Sequence, residues 1–450
     1  MNTPIADFVR GYDKKNVSRL HMPGHKGVSF LGCEAYDITE VEGADSLYEA
    51  NGIIAESEKN AGQLFETART VYSTEGSSQC IRAMLYLALL NRKYTGKPKV
   101  VAARNVHKAF IYAVSLLDID VIWLYPEGNT GSICSCKLTP DTVQNVLLEL
   151  EEPPIAVYVT SPDYLGGQLD IKEMAQVCHQ NETLLLVDNA HGAYLNFLED
   201  KSHPIRLGAD MCSDSAHKTL PVLTGGAYLH VGQNTCSGFC ENAKNAMALF
   251  GSTSPSYLIL SSLDLCNKYI ADGYAYKLKE TVKNVEKLRE QLRRNGWNVL
   301  NTEPLKLTIQ VPSGITGQML AKKLREHQIE IEYAEPEYVV CMFTPEIEGC
   351  AYGKIVTAFG ENEHPYVNEK SLSITKCERR MSVREAIFAE HETVPVTEAL
   401  GRICGTPTVS CPPAIPIVVS GEEIGEAAIA LFKHYGIETI DVVKGKEEER

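Results

Sequence analysis

The chain has no apolar run long enough to cross a bilayer. Stretches such as Met84-Leu85-Tyr86-Leu87-Ala88-Leu89-Leu90 fall far short of the ~20 residues a spanning helix needs. Met1-Asn2-Thr3-Pro4-Ile5-Ala6-Asp7 lacks the basic and then apolar pattern of a secretion leader, so a cytoplasmic protein with no membrane partner is expected. Positive charge is also short: 43 Lys and Arg against 58 Asp and Glu leave −15, which argues against a nucleic-acid surface and suits a cationic small substrate. None of the fourteen cysteines forms a Cys-x-x-Cys pair. The close sets, Cys134 with Cys136 and Cys236 with Cys240, have no histidine nearby, so packed thiols are expected and neither a metal site nor a disulfide. No Gly-Lys-Ser/Thr follows a glycine turn, which disfavours a nucleotide triphosphatase.

What is present describes a globular protein of more than one domain: 450 residues, 44% hydrophobic and 22% charged. Residues 1–50, rich in Gly, Pro and His, read as a loop-rich lead-in. From about 56 to 270, near-continuous apolar runs at 99–103, 121–125, 155–159, 184–187 and 227–231 alternate with helical patterns. Such runs suit strands buried on both faces, hence an α/β fold with a mostly parallel sheet whose ligands lie beyond the strands' carboxyl ends. Leu278, Val282, Val285, Leu288 and Leu292 form one helical stripe stopped by Asn295-Gly296. The alternation Leu305, Leu307, Ile309, Val311 then begins a smaller α+β region. The expected division is a lead-in (1–50), a large domain (51–295) and a C-terminal domain (296–450).

The chemistry concentrates at strand ends. The run Leu184 to Val187 ends in Asp188, and Ser215-Ala216-His217-Lys218 follows one strand later. A carboxylate and a lysine so placed suit pyridoxal 5'-phosphate, which needs an amine for its Schiff base and an acid partner for its ring nitrogen. Leu220 to Gly226 can bend tightly around a bound group, and the short polar tips of Ser215 and His217 could hold a phosphate. Gly76-Ser77-Ser78 opens a helical run and offers hydroxyls, amides and the positive end of a dipole, a second seat for phosphate. His107, at the exit of the run 99–103, could stack on a flat ring.

Together these segments resemble the bacterial ornithine/lysine/arginine decarboxylase family of fold type I pyridoxal-phosphate enzymes. Leu20-His21-Met22-Pro23-Gly24-His25-Lys26-Gly27 is similar to its N-terminal signature. Asp37-Ile38-Thr39-Glu40, Gly52 to Ser57, and above all His217-Lys218-Thr219-Leu220-Pro221 match as well. The resemblance implies an aspartate-aminotransferase-like large domain and a short-form enzyme that is at least a homodimer with shared sites. It implies that Lys218 carries the Schiff base, Asp188 pairs with the ring nitrogen, His107 stacks on the ring and His191 borders it. Ser77, Ser78, Ser215 and His217 would hold the phosphate, while Ser252 and Thr253 would reach a partner's phosphate. Lys218 or His217 would return the proton to Cα. Departures stand at Glu75, where asparagine is usual, at Asp214, in a stretch normally less acidic, and at Ser410-Cys411-Pro412-Pro413-Ala414-Ile415-Pro416, where Tyr-Pro-Pro-Gly-Ile-Pro is usual. Gly405-Thr406-Pro407 also departs, replacing a segment that usually carries a glutamate. The implied activity is α-decarboxylation of arginine, lysine or ornithine. Another reaction on the same scaffold, or a non-catalytic regulatory homologue, remains an alternative.

Overall fold

The computed structural model describes residues 1–128, 131–366, 374–407 and 413–445; the departures at Ser410, Cys411 and Pro412 lie outside them. In chain order the strands are β1 (Arg69–Ser73), β2 (Lys99–Ala103), β3 (Asp120–Leu124), β4 (Ala156–Thr160), β5 (Leu184–Asp188), β6 (Met211–Asp214) and β7 (Ala227–Val231). Six more follow: β8 (Asn298–Val299), β9 (Lys306–Gln310), β10 (Tyr333–Ala334), β11 (Tyr338–Met342), β12 (His391–Pro395) and β13 (Thr439–Val443). Two compact units result, Met1–Lys93 with Ile171–Lys279, and Tyr94–Asp170 with Glu280–Arg450. No helix among the described residues is long and apolar enough to cross a membrane.

In the first unit the strands run in the order β1-β7-β6-β5. β5 and β6 are parallel, while β7 is antiparallel to both β6 and β1. Every residue of β5 is buried, with the helices Ser77–Asn91 and Ile171–Gln180 packed against it. That burial is why its sequence is an unbroken apolar run. β1 and β6 escape the same reading because polar side chains interrupt them. They are buried nonetheless, since each polar group is satisfied: the Tyr72 hydroxyl lies 2.8 Å from Ser57 Oγ and accepts from Asn267 Nδ2 at 2.7 Å.

The lead-in is more ordered than its composition suggests. Pro4–Lys14 is a helix that buries Ile5, Ala6 and Val9, one face of the helical period. Its first amides, those of Ile5 and Ala6, both donate to Asp264 Oδ2 at 3.0 Å, so a residue far along the chain supplies the cap its own Thr3 does not.

The second unit holds the parallel set β4-β2-β3 and an antiparallel sheet β10-β11-β9-β8. Val285, Leu288 and Leu292, from the helix Ala275–Arg294, pack on Leu307, Ile309 and Val339 of that sheet. The helix ends at Gly296 (φ +85°), as the Asn-Gly pair predicts. Arg104, fully buried, donates to the carbonyls of Pro416 (2.7 Å) and Ile417 (2.8 Å) and holds the C-terminal segment within this unit.

Candidate active site

Two parallel strand exits in the first unit carry five of the predicted residues: Asp188, His191, Ser215, His217 and Lys218. Asp188 ends β5, is 3% exposed, and accepts at Oδ1 from the Ala190 amide (3.3 Å) and the Ser213 hydroxyl (3.5 Å). The turn after it buries His191. One strand over, β6 runs into the short helix Ala216–Thr219, which bears His217 and Lys218. Lys218 Nζ lies 2.8 Å from His191 Nε2. The Lys218 amine therefore stands within hydrogen-bond distance of the His191 imidazole.

A third segment completes the group. Gly76 (φ +74°) turns the chain into the helix Ser77–Asn91, whose first amides have no intrahelical acceptor. Ser215 Oγ donates to Ser77 Oγ at 2.8 Å, which joins the hydroxyls of the lysine segment to this helix start. The turn at Gly225-Gly226 clamps both pieces. Gly225 O accepts the Gly76 amide at 2.8 Å, and Gly226 O accepts the His217 amide (3.2 Å) and Nδ1–H (3.0 Å). Gly225 has φ +99°, and a Cβ there would stand 2.9 Å from Thr74 O, so only glycine fits.

The structure thus groups Lys218, His191, Ser215 and Ser77, with Asp188 on the neighbouring strand end. Ser78 lies in the same first helical turn. Ser252 and Thr253 stand exposed, and the Ser252 amide is held by the Glu75 carboxylate. Glu75 therefore serves as an anchor for the 252–254 loop, a link that no local sequence signal announces. His107 belongs to the second unit, where its Nδ1 accepts from the Ala109 amide at 3.1 Å and caps the helix Lys108–Leu117.

Sequence reasoning also missed a buried polar cluster behind the site. His203 Nε2 and His230 Nε2 lie 2.9 and 3.3 Å from Asp214 Oδ2, all three side chains fully buried. Their ligand atoms all lie within 4.8 Å of one another. Positions 203, 214 and 230 follow no ligand spacing, so only folding reveals them. Burial pushes the Asp214 carboxyl up, but His203 and His230 outweigh it and hold it well below the usual carboxylate range.

The donor set suits pyridoxal phosphate: a lysine amine, a buried carboxylate one strand away, and hydroxyls gathered at a helix N-terminus. The family described as Orn/Lys/Arg decarboxylase, major domain, matches residues 3–310, and its C-terminal domain matches 368–437. The arginine decarboxylases of Halalkalibacterium halodurans and Bacillus subtilis are each 28% identical over 96% of this chain and 93% of their own length. Among solved structures, the Francisella novicida lysine decarboxylase LdcF superposes with a TM-score of 0.80 at 16% identity, covering 98% of this chain and 81% of that one. The Sphingomonas wittichii serine palmitoyltransferase follows at TM-score 0.58 and 14% identity, covering 78% of this chain and 82% of its own.

Proposed function

The chain belongs to the Orn/Lys/Arg decarboxylase family, and on that premise we propose that it decarboxylates L-arginine to agmatine and carbon dioxide. Pyridoxal-phosphate-dependent decarboxylation of a basic amino acid is the family's chemistry. The choice of arginine is supported by the two Bacillaceae relatives that match nearly end to end. The observation that carries the site assignment is the convergence of Lys218, His191, Ser215 and Ser77 beside Asp188.

When bound, the cofactor supplies an electron sink for the pair released as carbon dioxide leaves Cα. Lys218 Nζ would hold its aldehyde carbon, Asp188 would keep its ring nitrogen protonated, and Ser77, Ser78, Ser215 and the amides after Gly76 would bind its phosphate. His191 Nε2 is placed to take a proton from Lys218 Nζ and leave the amine neutral. His217 is held in one tautomer, with Nδ1–H on Gly226 O, so any proton it delivers leaves from Nε2.

The working form in this proposal is a cytoplasmic homodimer or higher oligomer with shared sites. Exposed apolar side chains between Leu20 and Leu31, and the exposed Ser252-Thr253 loop, support it. The test is an amine-release assay of the cofactor-loaded protein against arginine, lysine and ornithine. Arginine is expected to lead in kcat/KM by about tenfold or more, roughly 1.4 kcal/mol. Keto acid or ammonia as product, or no turnover, would overturn the reading.

A further inference from the structure

Each half of the site hangs from the end of one strand. The turn 188–192 carries Asp188 and His191, and the turn 214–218 carries Ser215, His217 and Lys218. β5 and β6 pair with Asp188 opposite Ser213, and the ladder ends at the Asn189 amide, which donates to Ser213 O at 3.0 Å. Beyond that point a side-chain bond continues the connection: Asn189 Nδ2 donates to Asp214 Oδ1 at 2.7 Å.

Asp214 is itself held from several sides. His203 Nδ1 accepts from the Ile205 amide, so its hydrogen sits on Nε2 and is directed at Asp214 Oδ2. That tautomer leaves no lone pair on Nε2 for a metal ion, so the three-residue cluster reads as a hydrogen-bonded carboxylate. Cys212 Sγ lies 3.7 Å from Oδ1. His230 approaches Oδ2 while its Nδ1 lies 2.8 Å from Thr70 Oγ1 on β1. On the other side, a Cβ at Gly192 would stand 2.0 Å from Asn189 Oδ1, so the absence of a side chain at 192 makes room for this amide.

We propose that Asp214 and Asn189 are positioning residues whose bond sets Asp188 and His191 in register with Lys218. This rests on the decarboxylase reading and adds the means by which the two strand exits are locked together. Neither residue needs to touch substrate. Their effect is on the placement of groups that do, and a displacement of about 1 Å at such groups costs about a hundredfold in rate.

The experiment compares wild type, Asn189→Ala, Asp214→Asn and the double variant, each loaded with pyridoxal phosphate. The readouts are the cofactor dissociation constant and the pH midpoint of the Schiff-base absorbance. Each single variant is expected to weaken cofactor binding about tenfold or more and to move the midpoint. The double variant is expected to be no worse than the poorer single, because both changes break one bond. A space-filling role would lower the unfolding temperature and leave the midpoint in place. Unmoved midpoint and affinity in folded Asn189→Ala, or additive losses in the double variant, would overturn the proposal. Should Asp214→Asn fail to fold, Asn189→Ala alone decides. Wild type that forms no Schiff base would sink the decarboxylase reading together with this one; variants equal to a competent wild type would sink only the link.

Discussion

Ala414 sits at φ +59°, a left-handed conformation that costs a residue with a Cβ about 1–2 kcal/mol. It stands where the resembling family has glycine, and it is pinned there by the Lys108 amide, which donates to its carbonyl at 2.9 Å. Ala414→Gly is therefore expected to raise stability by about 0.5–1 kcal/mol, less than the full strain because glycine is freer when unfolded. Urea unfolding midpoints measure it, and a lower midpoint in the variant would refute the strain. Glu335 is a second case of a residue held against its ordinary preference. It is 1% exposed, and burial raises its carboxyl to about 7 even with Tyr333 O–H donating to Oε2 at 3.0 Å. An acid whose folded pKa lies above its unfolded value stabilises the protonated fold. Its own contribution to stability is thus fully present below about 4.5 and is lost as pH climbs to about 7, by on the order of 3 kcal/mol. Glu335→Gln should flatten that decline between pH 5 and 8; an unchanged slope would contradict it. Lys218→Ala is expected to remove the Schiff-base absorbance and nearly all turnover, since Lys218 supplies the amine held beside His191.

At the scale of elements, the turn Leu220–Gly226 was legible as a tight bend, yet its task was not. Its two carbonyls hold both the start of the helix Ser77–Asn91 and the short helix that bears Lys218. Gly225→Ala would force a Cβ against Thr74 O at φ +99°, at a cost of about 2 kcal/mol. Cofactor affinity should fall with stability, as equilibrium dialysis and thermal unfolding would show; full affinity would mean the turn is incidental. β2, β5 and β7 were readable because strands buried on both faces are near-continuously apolar. β1 and β6 were not, because Thr70, Tyr72, Ser213 and Asp214 are tolerated inside only through partners distant in sequence. The N-terminal helix was hidden for the same reason: its cap, Asp264, lies outside any local window.

At the scale of the whole molecule, Leu20, Met22, Phe30 and Leu31 are 94%, 66%, 77% and 89% exposed. They do not belong to a floppy tail. Both carboxylate oxygens of Glu34 accept the amides of Phe30, Leu31, Gly32 and Cys33 and fix the loop that presents Phe30 and Leu31. A rigid apolar edge of this kind is expected to be covered by a second copy. Light scattering should give at least a dimer, and Leu20→Glu with Leu31→Glu should shift it toward monomer and loosen the cofactor; an unaffected dimer would place the interface elsewhere. The sequence alone determined the fold class and singled out Lys218 and Asp188 as candidates, because apolar periodicity and strand-end chemistry are local signals that survive without coordinates. Only the tertiary structure decided that Asn189 bonds Asp214, that two histidines surround that carboxylate, and that Gly225 and Gly226 clamp the site. Those contacts join residues from separate strands and turns, and a buried polar group reveals its partner only when the chain has brought the two together. The stretch Ser215 to Lys218 was readable as candidate chemistry; what holds it in place was not.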